Sequence, residues 1–216
     1  MPDASKTLEG ITQSIIEGDD TAARAGVEQA LASGIAPVDI LNKGIVPGIQ
    51  TTGRLWAEGH YFMPDVILGA EAFKAATSVI EPLLKAGDAP KVGTVAMGVV
   101  AGDMHDLGIT IVGTMLRGAG FEVQELGIDV PVATFIEKVR GGGIDIIGMG
   151  AYMTTTMLVM RGVIDELKRE KLRDKVKVMV GGVPLTQEYA DEIGADAWGK
   201  DALDAVVKAK RLMGVS

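Results

Sequence analysis

The chain has 216 residues, of which 47% are hydrophobic and 23% charged, a balance typical of a globular protein with one large domain or two small ones. It contains no cysteine, so disulfides and thiolate-bound metals are excluded, and its net charge of −8 without a basic stripe argues against nucleic-acid binding. No apolar run is long enough to cross a membrane and the N-terminus has no signal-peptide pattern, so we predict a cytoplasmic protein with neither nucleic-acid nor membrane partners.

Residues 1–88 are predicted to form a domain of four helices, because apolar residues recur there at steps of three and four. The pair Asp19-Asp20 can cap the second helix, while Pro37 and Pro64 stand at first-turn positions of the third and fourth. Pro47 lies inside the third helix and is expected to kink it. The short connections favour an antiparallel four-helix bundle. The residues predicted to face inward are Leu8, Ile11, Ile15, Ala23, Val27, Ala30, Leu31, Val38, Leu41, Ile45, Ile49, Thr52, Trp56, Val66, Ala70, Phe73, Ile80 and Leu84.

Residues 89–216 follow a different pattern, which begins at the linker Gly87-Asp88-Ala89-Pro90 and alternates short apolar runs with helical segments. Apolar strands separated by helices are typical of a parallel sheet that is covered on both faces. We therefore predict a Rossmann-like (flavodoxin-like) α/β domain with five parallel strands, in which ligands bind at the carboxyl ends of the strands. The predicted strands are 92–100, 121–126, 144–149, 176–180 and 195–198, and the predicted helices are 107–118, 131–140, 156–170, 186–193 and 202–213.

The loop after the first predicted strand contains one of the two histidines, in the pattern Asp103-x-His105-x-x-Gly108. A neutral imidazole is a good ligand for a transition metal, and a carboxylate bonded to its other nitrogen fixes the tautomer. Gly108 lets the backbone come close to a bulky group. The residues alone leave two interpretations open: a metal-binding histidine, or an exposed loop histidine beside two aspartates that cap a helix.

This pattern resembles the signature of base-off cobalamin-binding domains, which occur in methionine synthase and in the corrinoid proteins of methanol, methylamine and aryl-ether (O-demethylase) methyltransferase systems. The resemblance covers nearly the whole chain, including the helical half. It implies that His105 replaces the benzimidazole of the cofactor as the lower ligand of cobalt, with Asp103 as its hydrogen-bond partner and Thr156 as the third member of a relay. The loop residues that it implies to contact the cofactor are Gly102, Asp103, Met104, His105, Asp106 and Gly108.

Residues 148–157 form the next motif of the resemblance and follow the third predicted strand. Gly150 and Tyr152 stand where the family usually has Ser-x-Leu, so the hydroxyl that would bond the benzimidazole nitrogen is absent. Tyr152 is expected to supply an apolar contact or a hydroxyl instead, and Thr154 remains as a polar wall residue. Taken alone, the run of threonines is more simply explained as a helix cap.

Gly181 and Gly182 follow the fourth predicted strand. By the resemblance, their missing side chains make room for the displaced nucleotide tail of the cofactor. Ala202, in the segment 198–202, occupies the position that closes this slot in relatives. Without the other motifs, a tight strand-to-helix turn is the simpler interpretation of the two glycines.

Residues 53–64, between the third and fourth predicted helices, resemble a turn that covers the upper face of the corrin in methionine synthase. The matching apolar residues are Trp56 and Met63, and a bulky apolar cover excludes water from a reactive methyl group. Asn42 aligns with a polar contact to the corrin. The alternative for Trp56 and Met63 is a place in the core of the bundle, and His60 is expected to be an exposed turn residue.

The resemblance implies a corrinoid protein that carries a methyl group on cobalt, with cobalamin as its cofactor and methylcobalamin as the loaded form. The implied partners are a methyltransferase specific for the methyl donor, a second methyltransferase that delivers the methyl group to an acceptor such as tetrahydrofolate, and a reductive activator protein. The alternatives are a corrinoid-dependent sensor, which normally adds a DNA-binding segment, and the small subunit of an adenosylcobalamin mutase, which generally lacks the helical bundle. A flavodoxin-like receiver domain would need an aspartate where Met149 and Gly150 stand.

Overall fold

The structure, a computed structural model, describes residues 4–85 and 92–215 of the chain. They fall into two units, residues 1–88 and 89–216. The predicted linker, residues 87–90, lies outside the described residues. None of the helices within the described ranges is long and apolar enough to cross a membrane.

The first unit consists of helices whose apolar faces pack together. The N-terminus of its second helix is capped by Asp19, whose carboxylate accepts a 2.8 Å hydrogen bond from the backbone N–H of Ala22. Gly48 allows two helices to approach closely, because a Cβ at this position would lie only 2.8 Å from the Cβ of Ile15. The helices are α1 (Ala4–Glu17), α2 (Asp20–Ala32), α3 (Pro37–Ile40), a π-helical turn (Leu41–Ile45), α4 (Val46–Ala57) and α5 (Met63–Lys85).

The stretch from α3 to α4 is one continuous helix that contains the π-helical turn directly before Pro47. Proline has no N–H to donate to the carbonyl four residues earlier, and the N–H of the preceding Val46 bonds to the carbonyl of Leu41, five residues back. Ile45, Ile49 and Thr52, in and after this turn, are buried as predicted. Val38 and Trp56, which were predicted to face inward, lie near the two ends of this stretch and are exposed, with 39% and 44% of their surface accessible. The other residues predicted to face inward are buried or half-buried.

The second unit alternates strands and helices, which confirms the predicted α/β fold. Its elements are β1 (Gly93–Val100), α6 (Leu107–Gly118), β2 (Phe121–Val130), α7 (Val132–Arg140), β3 (Ile146–Gly150), α8 (Leu158–Arg169), a 3₁₀ turn (Arg173–Lys175), β4 (Lys177–Gly181), α9 (Gln187–Ile193), β5 (Ala197–Gly199) and α10 (Ala202–Leu212). All neighbouring strands are parallel, and their order in the sheet is β2-β1-β3-β4-β5.

Alternate residues along the central strands face two separate apolar cores. Ala96 and Ile147 belong to the core that α7, α8 and α9 cover, whereas Val95 and Ile146 belong to the core that α6 and α10 cover. Every residue of β1 and β3 is buried. This explains why these strands are continuous apolar runs in the sequence instead of alternating ones.

The strand order reverses at the centre of the sheet, and this reversal creates the site. The chain passes from β1 to β2 on one side and continues through β3 on the other, so the loops after β1 and β3 diverge at the carboxyl edge. Val99 and Gly150 are paired at this point. In addition, β2 continues past Leu126, its predicted end, to Val130, with register shifts around its pairing with Gly98.

Candidate functional site

His105 lies in the loop that follows β1, at the carboxyl edge of the sheet. Its side chain is 61% exposed, and its Nδ1 lies 2.7 Å from Oδ1 of Asp103. Its backbone N–H donates to the same oxygen at 3.2 Å. The spacing of two residues therefore has a local reason, because one carboxylate oxygen fixes both the backbone and the ring of the histidine.

Asp103 is a fully buried carboxylate that accepts hydrogen bonds from three residues. Besides the bonds from His105, its Oδ2 accepts 2.7 Å bonds from the backbone N–H of Tyr152 and from the hydroxyl of Thr156. Burial alone would raise the pKa of Asp103, but the hydrogen bonds from Thr156, Tyr152 and His105 together hold that pKa well below the usual range of an aspartate. Asp103 is therefore ionised at neutral pH and acts only as an acceptor.

Thr156 reaches this carboxylate from the loop after β3, although it stands 53 residues further along the chain. The residue is buried, with 6% of its surface accessible. The three predicted relay residues thus form one chain of hydrogen bonds, from the exposed imidazole of His105 through Asp103 to a buried hydroxyl. Their chemical roles stay a prediction.

An ionised Asp103 also determines which nitrogen of His105 carries the proton. Because Nδ1 must donate to the carboxylate, the lone pair of the neutral ring is on Nε2. Within residues 4–85 and 92–215, no group of three or more histidine, cysteine, aspartate and glutamate side chains could hold a metal ion. A single imidazole of this kind suits a metal that brings its other ligands with it, as the metal of a macrocycle does.

Asp129 belongs to this loop structure, although the sequence pattern did not point to it. Its Oδ1 accepts a 2.6 Å hydrogen bond from the N–H of Gly102, and its own N–H donates to the carbonyl of Asp103 at 3.1 Å. Its φ of 51° lies in the left-handed region, which aspartate and asparagine tolerate better than most residues. The only sequence signal was a turn-forming residue near Pro131, because its partner Gly102 is 27 positions away.

We expect Asp129→Ala to destabilise the second unit by about 1 kcal/mol, because the Gly102 N–H loses its partner and alanine is less suited to a positive φ. Asp129→Asn keeps an acceptor oxygen and tolerates the backbone conformation, so it should lose less than half as much. The measurements are the urea midpoint and the hydrogen-exchange rate of the Gly102 amide. Equal losses in both variants would contradict the assignment of Asp129 to the loop.

Tyr152 fills the space beside the imidazole. Its ring centre lies 5.8 Å from that of His105, with 44° between the ring planes. A Cβ on Gly108 would be only 2.0 Å from the Tyr152 hydroxyl, and a Cβ on Gly150 would be 3.5 Å from the ring. Burial, reinforced by the charge of Asp103, raises the pKa of Tyr152 far above its usual value, so the phenol is neutral. Gly108 is thus needed here to admit the tyrosine ring.

The other predicted residues of these two loops lie at the same edge. Met104, Asp106 and Thr154 are exposed, and Asp106 directly precedes α6. Gly102 has a φ of 82°, in the region that favours glycine. The fold therefore brings together the residues of the first two predicted motifs.

The two glycines after β4 are held by backbone packing. The N–H of Ala151 donates to the carbonyl of Gly181 at 3.1 Å. A Cβ on Gly182, whose φ is 128°, would lie 1.8 Å from the carbonyl oxygen of Ala151, so no other residue fits without a backbone shift. A Cβ on Gly181 would lie 3.2 Å from the carbonyl oxygen of Gly199, and the half-buried Ala202 begins α10 shortly after. The ends of β3, β4 and β5 thus meet without side chains between them.

Four exposed apolar side chains lie at the carboxyl edge of the sheet. Ile128 is near the end of β2, and the loops after β1, β3 and β4 contribute Met104, Met153 and Val183. On the edge strand β5, the indole N–H of Trp198 is buried and has no hydrogen-bond partner in the part of the chain that the structure describes. An unpaired buried donor is unfavourable by about 1–3 kcal/mol. The exposed apolar side chains at this edge suit a ligand that is largely apolar.

The three residues of the helical half that were predicted to contact a cofactor lie in the first unit. Trp56 and Met63 are exposed, at 44% and 56%, so the alternative that they form the core of the bundle is wrong. Asn42 and His60 are also exposed. Contact of Trp56, Met63 and Asn42 with a cofactor stays a prediction.

Comparison with known protein families gives two matches. Residues 93–207 match a family model described as a B12 binding domain. Residues 7–81 match a second model, also described as a B12 binding domain. The two matches together span both units of the structure.

Three known proteins illustrate the similarity. The chain is 43% identical to dimethylamine corrinoid protein 3 of Methanosarcina acetivorans, over 99% of this chain and 100% of that protein. The structure of the Methanosarcina barkeri monomethylamine corrinoid protein is similar with a TM-score of 0.82 and 31% identity, covering 97% of this chain and 100% of that one. A chain of the methanol:cobalamin methyltransferase complex of Methanosarcina barkeri is similar with a TM-score of 0.59 and 29% identity, covering 98% and 81% of the two chains.

Proposed function

The chain belongs to the corrinoid proteins with B12 binding domains, and we propose that it carries a methyl group between two methyltransferases on a corrinoid held base-off through His105. Corrinoid binding follows from the family itself. So does a place as one component of a methyltransferase system, because the relatives are corrinoid proteins and one similar chain is part of a methyltransferase complex. The ligand role of His105, the methyl donor and the acceptor are our proposals.

The observation that carries the proposal is the state of the His105 imidazole. Its Nδ1 is engaged by the buried carboxylate of Asp103 at 2.7 Å, which leaves Nε2 as the coordinating atom on an exposed ring. Metal-bound histidines usually donate their other N–H to a carboxylate or carbonyl in this way. The imidazole of His105 would therefore fit a cobalt ion that takes one nitrogen ligand from the protein.

When bound, the corrinoid supplies a cobalt ion that accepts a methyl group and gives it up again. Asp103 and Thr156 are placed to orient the His105 imidazole both when its Nε2 is coordinated and when it is released. While Nε2 is coordinated, Asp103 keeps the ring oriented by accepting the Nδ1 proton, and Thr156 keeps the carboxylate in place. When Nε2 is released and takes up a proton, we propose that Asp103 and Thr156 stabilise the resulting imidazolium.

The surroundings of His105 also fit this cofactor. The exposed apolar side chains of Met104 and Met153 suit the face of a macrocycle. Further residues proposed to contact the corrinoid are Gly102, Asp106, Gly108, Gly150, Tyr152, Thr154, Gly181, Gly182 and Ala202.

The helical unit is proposed to shield the methyl group from water through Trp56 and Met63, with Asn42 as a polar contact to the corrin. Support comes from the exposure of Trp56 at the end of α4 and of Met63 at the start of α5. The same exposure makes them available to a cofactor.

The partners are proposed from the names of the relatives. Similarity to dimethylamine and monomethylamine corrinoid proteins favours a methylated amine as donor, delivered by a methyltransferase specific for it. We propose a second methyltransferase that passes the methyl group to tetrahydrofolate, and a reductive activator, because cobalt in its +1 state is easily oxidised. An aryl methyl ether, the substrate class of O-demethylases, is the competing donor.

The test begins with apoprotein that is incubated with hydroxocobalamin, separated from free cofactor by gel filtration, and examined by absorbance. We expect stoichiometric retention. After reduction with titanium(III) citrate, the holoprotein is offered dimethylamine, trimethylamine, methanol or an aryl methyl ether, each with a methyltransferase for that donor. Methylation with an amine, followed by transfer to tetrahydrofolate when an acceptor methyltransferase is added, would support the proposal.

Two outcomes would count against it. If the apoprotein retains no corrinoid, the cofactor role is wrong. If it retains the corrinoid but exchanges no methyl group with any donor or acceptor, while light changes its binding to DNA, the protein is a sensor and not a carrier.

A further inference from the structure

The side chain of Tyr152 lies where the structure leaves room next to the imidazole. Its ring centre is 5.8 Å from that of His105, and its backbone N–H is fixed by a 2.7 Å bond to Asp103. Glycines stand on both sides of the ring, at 108 in α6 and at 150 at the end of β3. The ring thus occupies a slot formed by two positions that have no side chain.

The contacts show that this slot is built around an aromatic ring. At Gly108 a Cβ would be 2.0 Å from the hydroxyl oxygen and 2.7–2.8 Å from two ring carbons of Tyr152, distances that real Cβ atoms do not adopt. At Gly150 a Cβ would touch the Tyr152 ring at 3.5 Å and Ile109 at 3.4 Å. The position of the Tyr152 ring therefore requires glycine at position 108. The ring also fills the space next to Gly150.

This position matters for a corrinoid whose cobalt is bound by His105, a step that rests on the function proposed above. The nucleotide arm of cobalamin starts on the same face of the macrocycle as the axial position that the imidazole takes. One axial position accepts only one ligand, so the arm must find space in the protein next to His105. The slot beside His105 is filled by Tyr152.

We propose that Tyr152 determines which corrinoids this protein accepts, by occupying the slot that the nucleotide arm would otherwise enter. The ring must rotate out before a corrinoid with a bulky lower base can bind through His105, and the contacts with Gly108 and Gly150 are lost when it does. A corrinoid without a nucleotide arm binds with the ring in place. Tyr152, which does not coordinate the metal, thus makes the protein select among corrinoids by their nucleotide arm.

The experiment compares the affinities of the apoprotein for dicyanocobinamide, which has no nucleotide arm, and for cyanocobalamin, by absorbance and quenching of tryptophan fluorescence. Tyr152→Leu shortens the side chain so that it no longer reaches Gly108. We expect this variant to bind cyanocobalamin about five- to tenfold more tightly than the wild type, because no buried ring contacts have to be broken. Its affinity for dicyanocobinamide, which leaves the ring in place, should change clearly less than its affinity for cyanocobalamin.

Tyr152→Phe separates the ring from its hydroxyl, and it should keep the preference of the wild type because the same volume is filled. If Tyr152→Leu changes the affinity for both corrinoids equally, or for neither, the inference is wrong. The same holds if Tyr152→Phe behaves like Tyr152→Leu, since the hydroxyl and not the ring would then be decisive. Failure of the wild type to bind either corrinoid would instead overturn the proposed function.

Discussion

The His105→Ala protein is expected to bind cobalamin about 10- to 100-fold more weakly than the wild type and to lose the nitrogen signature of a protein ligand on cobalt. The physical reason is that Nε2 of His105 is the only atom that Asp103 prepares for coordination. Without the imidazole, the lower position of cobalt is left to water or to the benzimidazole of the cofactor itself. The buried Asp103 carboxylate keeps its bonds from Tyr152 and Thr156, so the fold should survive.

The decisive measurement uses electron paramagnetic resonance of the holoprotein with cobalt in its +2 state. An axial ¹⁴N splits the lines into triplets, and an axial ¹⁵N splits them into doublets. Protein labelled with ¹⁵N-histidine and loaded with unlabelled cobalamin should give doublets in the wild type. Triplets in the labelled wild type would mean that the cofactor keeps its own base, and the ligand role of His105 would be wrong.

His60→Ala is the matched control, because His60 is the second histidine and its side chain is 68% exposed. Its nearest acidic group is Glu58, at 3.9 Å, which is too far for a hydrogen bond. The doublets of the labelled protein and its affinity for cobalamin should both be unchanged. A comparable loss in His60→Ala would indicate that the wrong histidine has been assigned.

Asp103→Ala is expected to have the largest effect on stability, about 3–5 kcal/mol on the second unit. Removal of the carboxylate leaves the Tyr152 N–H and the buried Thr156 hydroxyl without their acceptor, and each buried unpaired group is unfavourable by about 1–3 kcal/mol. The loop after β1 also loses the bonds to the backbone and ring of His105. Urea unfolding followed by Trp198 fluorescence, in a Trp56→Phe background, reports on this unit alone.

Asp103→Asn tests the role of charge with little change of shape. An asparagine presents one amide nitrogen where Asp103 has two acceptor oxygens, so at least one of its donors must lose its bond. We expect corrinoid affinity to fall about 10- to 100-fold even where the protein folds. Asp165→Asn, the same change at an aspartate whose side chain is 62% exposed on α8, should alter neither stability nor affinity measurably.

Thr156→Val provides a second measurement should Asp103→Ala fail to fold. Valine keeps the shape of threonine but removes the hydroxyl that bonds Oδ2 of Asp103 at 2.7 Å. The expected effect is about 1–2 kcal/mol of stability and a weaker hold on the corrinoid. If Thr156→Val and Asp103→Asn both bind cobalamin like the wild type, the hydrogen-bonded chain behind His105 has no functional role.

The order of elements could be predicted from the sequence because each element leaves a periodic pattern of its own. Strands buried on both faces, such as β1 and β3, are short apolar runs, and the helices between them repeat at three and four residues. Two local features depart from these patterns. Val38 and Trp56, near the ends of the helix from α3 to α4, are exposed in spite of their inward spacing. Likewise, β2 continues to Val130 through Gly127 and Asp129, which have the composition of a turn.

The site was predictable where its residues are neighbours in the chain. Asp103 and His105 are two positions apart in the chain, so their spacing alone predicted an imidazole that is oriented by a carboxylate. The sequence did not show where the side chain would lie at a position that differs from the family pattern. Gly150 and Tyr152 were noted as substitutions, but only the packing against Gly108 shows that the tyrosine ring fills the slot.

The sequence by itself determined the α/β alternation, the helical first half and the pairing of Asp103 with His105 in one loop, since all three depend on residues within one element or one turn. The tertiary structure decided which distant residues complete the loop: Thr156 from beyond β3, and Asp129 from the end of β2. Their bonds exist because β1 lies between β2 and β3 in a fixed register. Strand order and register arise from the packing of the whole sheet, and no local pattern of residues encodes them.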